Sequence, residues 1–396
     1  MHIHLFAIDH NTEGCVNNMS VRVQTEGSCK ENPCVPRISV EEITVIVVRI
    51  ARSRMSDGLR CLVDGVVVKG TQHVCDRSHR QGQAKNGRIS HRGHTVCFVV
   101  SISERTFKSV CGVALGSLCL IVFTGALVRL TGSGLGCSDW PQCNETRFVD
   151  VSSGHTLIEQ ANRLFTGVVS FSVIAAVLLA HLRSPKRRDL VVLAWGLVVG
   201  VVAQIIIGGI VVLTGLNPFA NMAHFLVSML LVANAFVLFR RAAGSRSDTI
   251  FRQLPTQLRL PSFALVVFSC SAVVTGTVVT ATGPHAGDED AVRFGFALIS
   301  VARIHSLCVI ATVSLLVYLI VSARRLKCNV SFTDALSALT VVAVFQAAIG
   351  YTQYFTDVPV VLVAAHILGA TAFWLAVCNV LVAPSLPESQ RAESTI

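Results

Sequence analysis

Eight apolar stretches, near residues 109–131, 157–182, 190–214, 219–239, 261–282, 296–321, 333–355 and 358–382, constrain this chain more than anything else in it. Each comes close to the ~20 residues that cross a bilayer core. A hydrophobic fraction of 52%, a mean hydropathy of +0.62 and only 14% charged residues exclude an ordinary soluble domain. The expected fold is an all-α membrane protein of eight transmembrane helices.

Lys and Arg set the expected orientation. They cluster after the second span (Arg183, Lys186, Arg187, Arg188), after the fourth (Arg240, Arg241, Arg246, Arg252, Arg259) and after the sixth (Arg324, Arg325, Lys327). The opposite loops hold only Arg147 and Arg293 outside the helix ends. By the positive-inside rule the basic loops face the cytoplasm and both termini lie inside a multi-pass cell-membrane protein. The net charge of +10 is then a topology signal. It argues against a nucleic-acid partner, because the basic residues sit in separated loops without interleaved aromatics.

The spans carry an internal repeat. Gln204-xxx-Gly208 precedes His224, and Gln346-xxx-Gly350 precedes His366, with 20 residues from Gln to His in both copies and an offset of 142 between them. Asn162 and His305 pair at the nearly equal offset of 143. Four spans per copy make each half enter the membrane the same way, as two four-helix bundles related as parallel repeats. We expect an N-terminal half at 108–244 and a C-terminal half at 258–383, parted by the polar segment from Gly244 to Pro261 and followed by a tail at 384–396. At ~1.5 Å per residue the four positions lie roughly 7–14 Å below the outer edge. Facing histidines at one depth are how a bundle holds heme.

His305 and His366 form the clearest pair. Two imidazoles fill both axial positions of a heme iron and favour electron transfer, which implies a closed b-type heme. Arg303 is placed to meet a propionate or to snorkel to the interface. In the first half His224 faces Asn162, a poor iron ligand, so one axial position is open or weakly held. His155, Glu159 and Asn162 share a helix face, and Arg163 follows. Glu159 is either a base or charge beside that heme or a helix-start acid paired with Arg163. His155 is either a substitute ligand or an ordinary loop residue. Cys137 and Cys143 flank a short turn expected outside the cytoplasm, where they form a disulfide or a redox pair.

With GALVRLTGSGLGCSDWPQC, EQANRLFTG and the membrane histidines in hand, the chain from about Phe107 to Leu381 resembles the heme A synthase family. The resemblance implies two four-helix halves and oxidation of the C8 methyl of heme O to a formyl group. It also implies a cofactor heme b on His305 and His366, with heme O received in the first half. Glu159 matches the acid of the family's Glu-x-x-His-Arg motif, here Glu159-Gln-Ala-Asn162-Arg163. Cys137 and Cys143 match its outer cysteine pair. A heme O synthase is the expected partner, while electron donor and oligomeric state are not indicated. Two departures stand out: Asn162 replaces the motif histidine, and the second half has no cysteine pair. The rival readings are a b-type cytochrome electron-transfer subunit and a heme transporter.

The residues up to 107 hold 7 of the 13 His and 6 of the 14 Cys, without CxxC spacing. They suggest a disordered cytoplasmic extension or upstream sequence, with a short strand in the β-branched run from Ile43 to Val48.

Overall fold

The computed structural model describes residues 5–6, 18–19, 102–242 and 254–383. The run at 43–48, the six early cysteines and the tail at 384–396 lie outside the described residues. Besides an antiparallel pairing of β1 (Leu5–Phe6) with β2 (Asn18–Met19), the described residues form eight helices. These are α1 (Glu104–Leu130), α2 (Gly154–Leu182), α3 (Arg188–Leu213), α4 (Pro218–Ala242), α5 (Thr256–Thr282), α6 (Leu298–Arg325), α7 (Val330–Phe355) and α8 (Val360–Val382). All eight are long and apolar enough to cross a membrane. Their outward faces carry bare apolar side chains such as Phe171, Val199, Leu307 and Val361, as a hydrocarbon solvent allows.

The helix ends fall within five residues of the hydropathy boundaries. The largest shifts are at the starts of α1 and α5, and α5 begins at Thr256 behind Pro255 and runs through Pro261. Pro261 lies so near the N-terminus that its missing N–H removes only one early bond, so the helix survives where composition suggested a linker.

Helices α4 and α8 occupy the middle of the bundle. Helix α4 packs on α1, α3, α5 and α8, while α8 packs on α1, α4, α5 and α7. Trp374 of α8 donates its indole N–H to the Met229 carbonyl of α4 at 2.8 Å, and Arg240 donates to Asn379 at 2.8 Å. Helix α2 is tied to α1 by the Ser117–Ser172 hydroxyl pair at 3.1 Å. Leu258, Leu265, Leu316, Leu319, Phe332, Leu336 and Leu339 fill the core of α5–α8.

The hairpins α3–α4 and α7–α8 are built alike. Each turns through two consecutive residues in the left-handed region, Gly215 and Leu216 (both φ 61°) and, 142 residues later, Asp357 and Val358 (φ 58° and 57°). The same bond closes each turn, from Leu216 N–H to Val211 O at 2.8 Å and from Val358 N–H to Gln353 O at 2.9 Å. Leu216 and Val358 have side chains that disfavour positive φ. Leu216 is held there by burial against Val211, Ala286 and Ala291. These turns lie at one end of the bundle, with the long connections at 131–153 and 283–297; we call it the long-loop end.

Candidate functional site

The sequence-marked positions all fall near that end. His224 is the seventh residue of α4, His305 the eighth of α6, His366 the seventh of α8 and Asn162 the ninth of α2. At ~1.5 Å per residue they lie within about 3 Å of one level along their helices, closer than hydropathy boundaries implied.

The Gln-to-His spacing has a physical cause. Gln346 on α7 donates its amide N–H to the carbonyl of His366 on α8 at 2.7 Å. Gln204 on α3 donates to the carbonyl of His224 on α4 at 2.9 Å, and its amide also meets the Ser228 hydroxyl. An amide bonded across two helices fixes their relative height and so the level of each imidazole. One turn further along, a glycine faces each ring. A Cβ on Gly350 would lie 2.9 Å from His366 Cε1, and one on Gly208 would lie 3.4 Å from His224 Cε1. Glycine is the residue that leaves this space for a ring to stand against backbone.

Helices α1 and α5 supply a matching Thr-Gly step. Thr275 Oγ1 lies 3.2 Å from His305 Nδ1, and a Cβ on Gly276 would lie 3.2 Å from His305 Cε1. In the first set Thr124 Oγ1 donates to Asn162 Oδ1 at 2.8 Å, and Gly125 stands opposite the Asn162 amide.

His305 and His366 face each other with ring centroids 6.4 Å apart and planes at 77°. A metal held by two imidazoles at ~2.0 Å each, with ~1.1 Å from nitrogen to ring centre, places the centroids ~6 Å apart. The pair therefore fits one ion between its rings. Thr275 occupies Nδ1 of His305, which leaves Nε2 for the ion, and His366 Nδ1 is buried without a partner. An open, mainly apolar groove of about 390 Å³ on α5 is lined by Val266, Val267, Cys270, Ser271, Val274 and Thr275. In the first set His224 keeps a buried, unpartnered Nδ1, and the residue that matches His305 in the repeat, Asn162, is an amide whose oxygen is already committed to Thr124. Among the described residues no cluster of three or more His, Cys, Asp or Glu gathers as a metal site. An ion between these rings would take the two imidazoles as its ligands from the described residues.

The long connection at 131–153 closes over this level. Cys137 and Cys143 are joined in a disulfide, and both are fully buried. Glu159, 5% exposed, is bound on both oxygens: Oε2 accepts the Cys137 backbone N–H at 2.7 Å, and Oε1 accepts Arg163 Nη2 at 2.6 Å and Nε at 3.0 Å. Arg163 also donates to the carbonyls of Asp139 and Gln142 inside the disulfide ring, at 3.1 and 3.2 Å. Glu159 thus takes the pairing with Arg163, and the two side chains together clamp the ring onto α2. His155 is exposed, with Nδ1 2.9 Å from the Ser133 hydroxyl, and its backbone carbonyl lies so near Gly136 that a Cβ there would meet it at 2.5 Å. Arg303 is exposed on α6. Trp140, inside the ring, lays its indole against α3, where a Cβ on Gly209 would lie 2.8 Å from the ring.

A model of the COX15-CtaA family, described as cytochrome oxidase assembly protein, matches residues 108–152 and 148–287. Over these residues, a little under half of its length, the chain is similar to the COX15-CtaA family. Curated relatives named heme A synthase agree. That of Listeria welshimeri is 34% identical over 167 residues, covering 40% of this chain and 54% of the relative. That of Lysinibacillus sphaericus is 32% identical over 168 residues, covering 41% and 54%, and that of Geobacillus kaustophilus is 34% identical over 136 residues, covering 33% and 42%. The chain spans about half the length of the curated relatives it matches. The family match and eight apolar helices together indicate a multi-pass membrane protein. The family segment contains Cys137, Cys143, His155, Glu159, Asn162, Arg163 and His224. His305 and His366 lie beyond it and are tied to it by the internal repeat.

Three features escaped the sequence reading: the Thr-Gly steps, Trp140 and the double engagement of Glu159. The first carried a signal, since Thr124-Gly125 and Thr275-Gly276 recur at an offset of 151. The other two are contacts across the fold with no local pattern.

Proposed function

We propose that this chain is an oxidoreductase that converts the C8 methyl of heme O to a formyl group, giving heme A. The observation that carries the reading is the asymmetry between the two repeat-matched sets: His305 faces His366 at 6.4 Å, whereas the residue that matches His305 in the first set is Asn162, an amide held by Thr124. A closed site and an open one suit a permanent cofactor and an exchanging substrate, and the relatives named heme A synthase support that chemistry.

In this reading α5–α8 (258–383) holds heme b through His305 and His366, and α1–α4 (108–244) receives heme O on His224. Heme b, when bound, supplies reversible one-electron transfer between reductant and substrate site. Thr275 orients the His305 ring, while Gln346 and Gln204 fix the heights of His366 and His224. Asn162, held by Thr124, leaves the substrate's other face open. Glu159 and Arg163 keep the disulfide ring and Trp140 closed over that face and exclude water, so Glu159 acts by positioning the ring. Two successive hydroxylations of one methyl, each placing one oxygen atom from O2 or water on the carbon and passing two electrons to an external oxidant, give a gem-diol that loses water to leave the aldehyde. The long-loop end is the outer face of a cell membrane, both termini are cytoplasmic, and a heme O synthase supplies the substrate.

Reverse-phase analysis of hemes from membranes that also contain a heme O source tests this. Heme A is expected with the wild-type chain, and heme O or a hydroxylated intermediate with Glu159→Ala. Unconverted heme O in both, alongside an intact b-type spectrum, would overturn the proposal in favour of an electron-transfer cytochrome.

A further inference from the structure

Arg129, the penultimate residue of α1, is a cation whose partner the described residues do not supply. Its Nε is shut off from solvent and makes no hydrogen bond, and no described carboxylate forms an ion pair with it. Its neighbours at the long-loop end are satisfied: Arg147 pairs with Asp150, Arg163 with Glu159, and Arg293 donates to the carbonyls of Pro284 and Ala291. The acids of the second long connection are placed elsewhere, with Asp288 accepting the Asp290 N–H and Glu289 and Asp290 exposed. Asp139 is occupied by the Trp140 N–H and the Gln142 amide. Arg129 is half-buried, with its Nε shut off from solvent, and a cation without a counterion in a membrane segment is a candidate for ligand contact.

Its position says which ligand. Arg129 follows Gly125 by four residues, so the two share a face of α1, with the guanidinium stem ~6 Å nearer the helix end. Gly125 is the residue opposite Asn162, and Arg129 therefore stands just above the first site. The stem is fixed, because a Cβ on Gly287 would touch Arg129 Cγ at 3.0 Å, and Gly134 N–H bonds the Gly287 carbonyl at 3.0 Å to close a roof over it. At the offset of 151 that relates the Thr-Gly steps, the second set has Thr280, so the charge belongs to the first site alone.

We propose that Arg129 is the anion site for a propionate carboxylate of the porphyrin bound among α1–α4, and that it sets the rotational orientation of that ring. The inference rests on the porphyrin-binding reading of the first site. A guanidinium fork matches a carboxylate through two parallel bonds. The C8 methyl shares its pyrrole with a propionate, so anchoring that carboxylate selects which methyl is presented to the oxidising face.

Titration of the purified full-length chain, carrying its resident heme, with iron protoporphyrin IX and with its dimethyl ester tests this, using absorbance and Trp140 quenching. The wild type should bind the diacid about 10- to 100-fold more tightly than the ester, as for a charge-assisted bond of about 1.5–3 kcal/mol. Arg129→Met should bind both forms with the ester's affinity, and Arg129→Lys should keep part of the preference. Equal wild-type affinities, as expected if Arg129 instead holds a lipid phosphate, would overturn the proposal, as would full preference in Arg129→Met. If the Met variant does not fold, unchanged preference in Arg129→Lys counts against the bidentate site in the same way. Failure of the oxidase reading would show differently, as unconverted heme O with the diacid preference intact.

Discussion

Adding one methyl group at each of four glycines should damage the two sites in a graded order. At Gly350 the new Cβ would lie 2.9 Å from His366 Cε1, at Gly276 3.2 Å from His305 Cε1, at Gly208 3.4 Å from His224 Cε1, and at Gly125 3.9 Å from the Asn162 amide. Ordinary contact begins at 3.4 Å, so the ring must retreat by 0.5 Å at Gly350, by 0.2 Å at Gly276 and not at all at the other two. A metal–imidazole bond tolerates displacements of about 0.2 Å. Gly350→Ala exceeds that, and an overpacking cost of about 1–3 kcal/mol corresponds to roughly 5- to 150-fold weaker cofactor binding. Alanine raises helix propensity by about 1 kcal/mol, so a general loss of helix stability would not account for the effect. The assay is heme per protein by pyridine hemochrome, together with the low-spin signal. We expect clear loss in Gly350→Ala, a partial effect in Gly276→Ala, and wild-type content in Gly208→Ala and Gly125→Ala. Equal content in all four, or Gly125→Ala as damaging as Gly350→Ala, would refute the ring-facing role of these glycines.

Arg163→Met leaves the buried Glu159 carboxylate without its counterion and should cost about 3 kcal/mol, seen as a lower unfolding midpoint in detergent. Glu159→Gln, which still accepts the Cys137 N–H, should cost less. Asn162→His should convert the first site to a second bis-imidazole site, because Thr124 can pair with the new Nδ1 as Thr275 does with His305. A second low-spin heme signal with reduced conversion of heme O is expected, and an unchanged spectrum would count against the match of the two positions. In the loop at 144–153, the Ser152 N–H and Arg147 hold the Asp150 carboxyl below its usual range. Its contribution to loop stability is therefore present above the unfolded value of about 3.9 and is lost as pH falls through the lower folded value. Proteolysis of that loop should accelerate on acidification in the wild type and depend less on pH in Asp150→Asn.

Much of the site could be read directly from the chain. The hydropathy of each span is set by its own residues, so eight helices emerged with ends displaced by a few positions. The Gln204–His224 and Gln346–His366 spacings were visible because one hydrogen bond between neighbouring helices in a tight hairpin forces a constant separation. Asn162 was recognisable as the odd member because the repeat supplied His305 for comparison. Glu159 was legible only as one of two alternatives: the i,i+4 spacing to Arg163 permits an ion pair, but a spacing cannot say whether the carboxylate also faces substrate.

Local pattern alone gave eight helices long and apolar enough to cross a membrane, placed four marked side chains near one end of them, and set Asn162 apart from the three histidines. Tertiary structure decided the rest. It brought the Cys137 amide to Glu159, laid Trp140 on Gly209, joined the Gly134 and Gly287 loops, and left Arg129 beneath them without a counterion. Those contacts link segments that are far apart in the chain or separated by irregular loops. They have no periodicity, and only packing of the helices fixes which loop residue meets which charge.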